Sequence, residues 1–216
     1  MNLIILGPPG AGKGTQANRI AKIFNLKQVS TGELLRNEVK SHSDLGKKIE
    51  SFVNMGKLVS DEIVNSFIEK IISVPNNFNR LIFDGYPRNF LQIQILDELL
   101  KQQNQKISAI LSLEVDKDII TKRIIGRIIC TKCFKTFNEF FNPPSEKKHT
   151  CGKKYLQKRN DDKLETILNR FETYVLKTKP VLEHYKKKDF FYKINGNNEI
   201  DEIYNKIKDI LENIRD

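Results

Sequence analysis

A chain of 216 residues can bury one sizeable hydrophobic core, with room for small insertions but not for several domains. With 39% hydrophobic and 30% charged residues it reads as a soluble globular protein, and no apolar run reaches the about 20 residues of a membrane span. The formal charge of +10 suits anionic partners, nucleic acid or small phosphorylated ligands, although runs such as Lys186-Lys187-Lys188 are ordinarily solvated surface. No basic region precedes the first apolar residues, so no signal or transit peptide is expected and the cytoplasm is the predicted location. Three cysteines in such a chain predict metal binding or packing rather than disulfides.

In chain order, Leu3-Ile4-Ile5-Leu6 is a buried strand candidate, followed by Gly7-Pro8-Pro9-Gly10-Ala11-Gly12-Lys13-Gly14-Thr15 and a helix with Ile20, Ile23 and Phe24 on one face. Residues 27–30 predict a strand, and Ser30 or Thr31 a cap for the helix that follows. Residues 44–72 predict two amphipathic helices broken near 55–59, the second capped by Ser60-Asp61-Glu62. A strand at 80–85, a helix at 89–103, a strand at 108–113 and a helix at 116–125 come next. Residues 128–158 break the pattern and carry all three cysteines and Pro143-Pro144. A long helix from 162 to 187, a strand at 190–194 and a helix at 199–214 complete the chain. Five strands alternating with helices predict an α/β fold with a parallel sheet covered on both faces. The segments near 30–60 and 128–160 read as insertions near the carboxyl ends of strands, where such sheets bind ligands.

Strand, glycine-rich turn and helix are the context of a phosphate-binding loop. The glycines let backbone N–H groups converge on phosphate oxygens, the helix N-terminus adds its dipole, and Lys13 adds a full charge. The hydroxyl residue Thr15 comes one position later than in switch GTPases, because Gly14 follows the lysine. Asp84, ending an apolar strand, is placed like a Walker-B carboxylate for Mg²⁺. Arg36, Arg88, Arg123, Arg127, Arg159 and Arg170 are candidates for phosphate contacts, since phosphoryl transfer asks a protein for positioning and positive charge. Arg123 and Arg127, four apart on one face at a predicted helix end, bracket Gly126 as a candidate hinge.

These motifs resemble those of adenylate kinases of the long, lid-bearing type. They are the loop Gly7 to Gln16, Ser30-Thr31-Gly32-Glu33-Leu34-Leu35-Arg36, Gly56-Lys57-Leu58-Val59, Asp84-Gly85-Tyr86-Pro87-Arg88, Lys122 to Arg127, and Arg159-Asn160-Asp161-Asp162. They occur in the family's order and spacing from residue 1 to about 170, and the offset Gly14-Thr15 is the form of nucleoside monophosphate kinases. The resemblance implies a P-loop NTPase fold with a CORE of 1–29, 60–125 and 164–216, an AMP-binding domain of 30–59 and a LID of 126–163. It implies reversible transfer from MgATP to AMP, giving two ADP, by a monomer with no nucleic-acid or membrane partner. Lys13, Asp84, Arg88, Arg123, Arg127, Arg159 and Arg170 would serve the transfer. ATP would be held by Gly10, Ala11, Gly12, Lys13, Gly14, Thr15, Arg127, Thr136, Phe137 and Asn198. AMP would be held by Thr31, Arg36, Lys57, Leu58, Val59, Gly85, Tyr86, Pro87, Arg88, Gln92, Arg159 and Arg170. Gln92 is the candidate adenine reader, where related pyrimidine kinases tend to carry Asn, since a carboxamide offers one donor and one acceptor. Asp161 and Asp162 match a pair at the LID's return to the CORE. The motifs leave ATP and GTP both open as donor.

Cys130-Thr131-Lys132-Cys133 is a C-x₂-C knuckle with Cys151 eighteen residues beyond it. Zinc-containing members of the resembled family carry a second pair, which is incomplete here; His149 would complete a Cys₃His site for structural zinc. The alternative is a lid that keeps three thiols without metal. Two other classes of function fit less well. A GTPase-like switch needs an Asn-Lys-x-Asp base reader, and in Asn205-Lys206-Ile207-Lys208-Asp209 the Asp comes one residue late. A zinc-knuckle nucleic-acid binder leaves the phosphate loop and the Arg88, Arg123 and Arg127 positions unexplained.

Overall fold

The computed structural model describes all residues except 146–148, 160, 161, 163 and 216. Its elements are β1 (Asn2–Leu6), α1 (Lys13–Ile23), β2 (Lys27–Ser30), α2 (Thr31–Lys40), α3 (Asp44–Met55), α4 (Asp61–Ile72), β3 (Leu81–Asp84), α5 (Phe90–Gln102), β4 (Ile107–Glu114) and α6 (Lys117–Ile125). They continue with β5 (Arg127–Cys130), β6 (Thr136–Asn138), β7 (Leu156–Gln157), α7 (Leu164–Thr173), a π-helical turn (Tyr174–Thr178), α8 (Lys179–Tyr185), β8 (Phe191–Asn195) and α9 (Ile200–Arg215).

Five strands form a parallel sheet in the order β2-β3-β1-β4-β8. β1 is central and apolar from Leu3 to Leu6 because it is covered on both faces, as its unbroken Leu-Ile run predicts. The pleat sends alternate residues to opposite layers. Ile4, Leu6 and Phe83 pack with residues of α4, α5 and α8, whereas Leu3, Ile5 and Ile82 pack with Ala17 and Ile20 of α1 and Ile203 and Ile207 of α9. Each fully buried Leu or Ile of this kind contributes about 2 kcal/mol. Neighbouring strands on the two sides of β1 connect in opposite directions, so the crevice beyond its carboxyl end is a topological switch point. The phosphate-loop sequence occupies that point.

Residues 128–158, irregular in prediction, contain most of a separate antiparallel sheet, β6-β5-β7. Asn138 ties it to α6 by donating from Nδ2 to the Arg123 carbonyl at 2.7 Å.

Four expectations need correction. The predicted helix over 162–187 is split by the π turn at Tyr174–Thr178. Pro180 lacks an N–H and its ring would clash with the carbonyl four residues back, so the helix widens before resuming. Arg123 and Arg127 do not share a helix face, because α6 ends at Ile125 and Arg127 opens β5. Gly126 has an ordinary φ of −81, and a Cβ there would lie 2.6 Å from Phe140 Cδ2. Close packing, not hinge freedom, accounts for that glycine. The cap residues Ser30 and Ser60 make no side-chain cap bond. Asp61 instead accepts from Asn89 Nδ2 at 2.9 Å and Gln92 Nε2 at 2.6 Å, joining the starts of α4 and α5.

Candidate active site

A cavity of about 360 Å³ opens at the switch point, lined by the loop, β3's end, α2, the residues after α3, α6, the small sheet, α7 and the turn before α9. Gly12 caps α1 at φ 94, and the first-turn N–H groups of Lys13, Gly14 and Thr15 have no acceptor within the helix. Such a helix start favours anions. Space is tight at Gly14: a Cβ there would lie 3.2 Å from Asp84 Oδ2, and that carboxylate would have to give by a few tenths of an ångström. That oxygen also accepts from Gln28 Nε2 at 3.0 Å. The position that is Ser or Thr in a switch GTPase is thus filled here by the approach of a carboxylate.

Among the described residues lining the cavity, eight are cationic: Lys13, Arg36, Lys57, Arg88, Arg123, Arg127, Arg159 and Arg170. Two are acidic, Asp84 and Glu199. This imbalance in a partly enclosed site is an anion receptor. Lys13 Nζ donates to the Gly7 and Pro8 carbonyls, both at 2.9 Å. Burial lowers its pKa to about 8, with Arg88, Arg127 and Arg170 adding to the effect and Asp84 opposing it. Burial likewise lowers the pKa of Arg88, against Asp84 and with Arg170, and that of Arg123, against Glu199. Arginine stays protonated through such shifts.

Secondary contacts aim the arginines. Arg88 Nε donates to the Gly85 carbonyl at 2.7 Å, and its Nη2 reaches Thr31 Oγ1 at 3.4 Å. Arg123 donates to the carbonyls of Ala11 at 3.3 Å and Asn198 at 3.4 Å, so α6 holds the phosphate loop against the turn before α9. Asp162, its side chain 3% exposed, pairs with Arg127 at 3.2 Å and Arg170 at 3.8 Å. Asp161, the other member of that expected pair, lies outside the described residues.

The cavity brings together Gly10 to Thr15, Arg36, Lys57, Leu58, Asp84, Gly85, Pro87, Arg88, Arg123, Arg127, Thr136, Phe137, Arg159, Arg170 and Asn198. Four residues expected to touch AMP stand behind its wall. Val59 and Tyr86 belong to the core, the Tyr86 hydroxyl donating to Asn65 Oδ1 at 2.8 Å. Thr31 is buried and donates to the Gly85 carbonyl at 2.9 Å. Gln92 is 2% exposed, accepting from Arg88 N at 2.7 Å while donating to Asp61. Periodicity and motif matching missed Asn138, Phe141, Tyr174, Thr178 and Asn197, which also line the cavity. Phe141 lies beneath the Arg123 guanidinium at 5.5 Å. Tyr174 and Thr178, four and eight residues beyond Arg170, could both have been found by helical period.

Cys130, Cys133, His149 and Cys151 offer ligand atoms that all lie within 4.8 Å of one another. A tetrahedral zinc with Zn–S of about 2.3 Å spaces its ligands by roughly 3.8 Å, so this donor set fits with small adjustment. Backbone N–H groups of Cys133 and Lys132 point at Cys130 Sγ from 3.3 and 3.4 Å. Burial raises the Cys130 pKa, but those donors and His149 outweigh it and bring it to about 6. His149 is 8% exposed and its Nε2 has no hydrogen-bond partner among the described residues. Its ring meets Phe137 edge-on at 5.3 Å, so the cluster backs the cavity wall.

The lowered Lys13 pKa carries a prediction. A bound triphosphate favours the charged form, so affinity should fall as pH rises through about 8, and binding should take up a proton where Lys13 is partly neutral. At pH 8 about half a proton per donor nucleotide is expected beyond the uptake at pH 6. Calorimetry in buffers of different ionisation heat reads this directly; equal uptake at both pH values, or persistence in Lys13→Arg, would exclude the assignment.

The adenylate kinase family model matches residues 5–190. The chain is 52% identical to the adenylate kinase of Pelagibacter ubique over 211 residues, covering 98% of this chain and 99% of the relative. It is 39% identical to that of Archaeoglobus fulgidus over the full length of both chains, and 36% identical to that of Enterococcus faecalis over 98% of this chain and 99% of the relative. No helix among the described residues is long and apolar enough to cross a membrane.

Proposed function

This chain belongs to the adenylate kinase family and transfers a phosphoryl group reversibly from MgATP to AMP, giving two ADP, and we propose that the cavity at the switch point is where it does so. The observation that carries this assignment is the convergence of eight cationic side chains, from separate elements, on one helix N-terminus beside Asp84. The donor's phosphates lie along Gly10 to Thr15, with Lys13 following the transferred group. Arg127, Thr136, Phe137 and Asn198 bound the donor from the other side. Arg36 and Arg88, with Lys57, Leu58, Gly85 and Pro87, receive the acceptor, and Arg123, Arg127, Arg159 and Arg170 gather on the phosphates between the two. Thr31, Val59, Tyr86 and Gln92 serve the acceptor side from behind the wall, and Gln92 reads adenine after exchanging its bonds to Asp61 and Arg88.

The acceptor phosphate is already anionic and needs no general base. The protein's task is to hold donor and acceptor in line, to spread positive charge over the equatorial oxygens and to keep water out. Mg²⁺ bound with ATP neutralises donor charge, and Asp84, 8% exposed on the wall beside the loop, would hold it directly or through water. Water exclusion requires closure. We assign 30–59 to the AMP-binding part, 126–163 to a LID and the rest to the CORE; the LID segment's own hydrogen-bonded sheet supports this division. Cys130, Cys133, His149 and Cys151 would hold a structural zinc that substitutes for a core too small to fold alone. We take the chain to act as a monomer in the cytoplasm.

A nucleotide panel tests the assignment. Each donor (ATP, GTP, CTP, UTP) is paired with each monophosphate and diphosphate formation is followed; ATP with AMP should exceed every other acceptor by at least about 100-fold, the discrimination available to a site that hydrogen-bonds its substrate's polar groups. Equal turnover of UMP or GMP would reject the acceptor-side assignment.

A further inference from the structure

Thr178 is 8% exposed in the wall of the cavity, and its hydroxyl Oγ1 donates to the main-chain carbonyl of Arg88 at 3.2 Å. Arg88's own N–H donates to Gln92 Oε1 at 2.7 Å. The peptide groups on either side of the Arg88 Cα are therefore each held by a side chain, one from α5 and one from the π turn. Side-chain bonds from Arg88 to Gly85 and Thr31 add a third and a fourth restraint.

The π turn brings Thr178 to the middle of the helix face that carries Arg170. In an uninterrupted α-helix the residues sharing a face with Arg170 are 173, 174, 177 and 178, with 177 nearest its line and 178 at the edge, about 80° away. The described helix carries one wide turn at Tyr174–Thr178, which inserts a residue into that period. The position facing the site then passes from 177 to 178. Lys177 is accordingly exposed and Thr178 buried, while Arg170, Thr173, Tyr174 and Thr178 all line the cavity. A π turn costs helix stability and recurs at functional sites. Here it places the hydroxyl of one helix against the backbone of an arginine that precedes another, on the same helical face as Arg170.

We propose that Thr178 is a positioning residue for the reaction: its hydroxyl fixes the Arg88 main chain so that the Arg88 and Arg170 guanidiniums are held in mutual register around the acceptor phosphate. This rests on the assignment of Arg88 to that phosphate. Removing the hydroxyl takes its donor from the Arg88 carbonyl and lets the arginine backbone relax, so the loss falls on the acceptor.

The experiment is steady-state kinetics of Thr178→Val, Thr178→Ser and Arg88→Ala with each substrate varied in turn. Thr178→Val, close in shape but without a donor, should lower kcat/KM for AMP about 5- to 20-fold, the effect of one buried hydrogen bond, while KM for ATP stays within about twofold. Thr178→Ser, which keeps the hydroxyl, should recover most of that loss. Should Val pack badly, Thr178→Cys, a weak donor of similar size, should give the same AMP-selective loss. A Val or Cys variant as active as the parent, an equal shift in both substrates, or a Ser variant no better than Val would overturn the role of Thr178. Arg88→Ala separates the two levels. If it keeps near-parental kcat/KM for AMP, the acceptor-phosphate assignment itself fails; if it is crippled while Thr178→Val is not, only the Thr178 inference fails.

Discussion

Arg88→Ala and Lys13→Ala should each lower turnover by roughly 10²- to 10³-fold while the fold persists. Both side chains lie in the cavity wall, where burial depresses their pKa and so raises the cost of leaving their charge unmatched. That cost is relieved when phosphate arrives, and most fully when charge spreads over the transferred group's equatorial oxygens. If their interactions are stronger in the transition state than in the bound ground state, the loss falls on kcat and not on KM alone. Neither side chain holds the core together. Lys13 Nζ bonds to the Gly7 and Pro8 carbonyls, and the Arg88 guanidinium to Gly85 and Thr31, all beside the cavity. A coupled assay of ADP formation, with thermal melting as the control for folding, gives the result. Near-parental turnover in both variants would remove the phosphate roles from these two residues.

Loss of the metal should be the second large effect. The Cys₃His cluster brings together the turn after β5, residues 149–151 and, through the His149–Phe137 contact, one wall of the cavity. Removal of zinc takes the shared partner from three thiols and a buried ring nitrogen. If the ion contributes about 3 kcal/mol to the assembled chain, a protein of this size should melt roughly 6–12 °C lower after chelation. The contact with Phe137 makes the effect asymmetric: KM for ATP should rise more than KM for AMP. Elemental analysis should find about one zinc per chain, and Cys130→Ser should reproduce both changes. A preparation that contains no zinc, or melts at the same temperature with and without chelator, would contradict the site.

How much of this was legible beforehand follows from how local the signals are. The apolar runs at 3–6, 81–83 and 109–111 announce buried strands, and β1, β3 and β4 occupy the interior of the sheet. The phosphate loop is contiguous, so its chemistry can be read from nine residues. The arginines were legible as residue types but not as a constellation, because only the folded chain brings positions 36, 88, 123, 127, 159 and 170 around one cavity. Gln92 shows the limit: its residue type suggested a base reader, whereas its place behind the wall is set by Asp61, a residue thirty-one positions away whose local sequence reads as part of a helix cap.

The split of the long helix has the same origin. Pro180 is visible in the chain, but whether a proline ends a helix, kinks it or widens it by one residue depends on what the neighbouring turns pack against. Outside 128–158 and the long helix, the order and type of the elements were determined by the sequence alone, as were the phosphate loop, the family and the composition of the metal cluster, because each rests on neighbours in the chain or on short spacings. The tertiary structure decided the register of side chains around the cavity: Arg127 on a strand, Gly14 beneath Asp84, and Thr178 turned onto Arg88 by one extra residue in a helical turn. These depend on distances of a few ångströms between segments far apart in sequence, which no local pattern encodes.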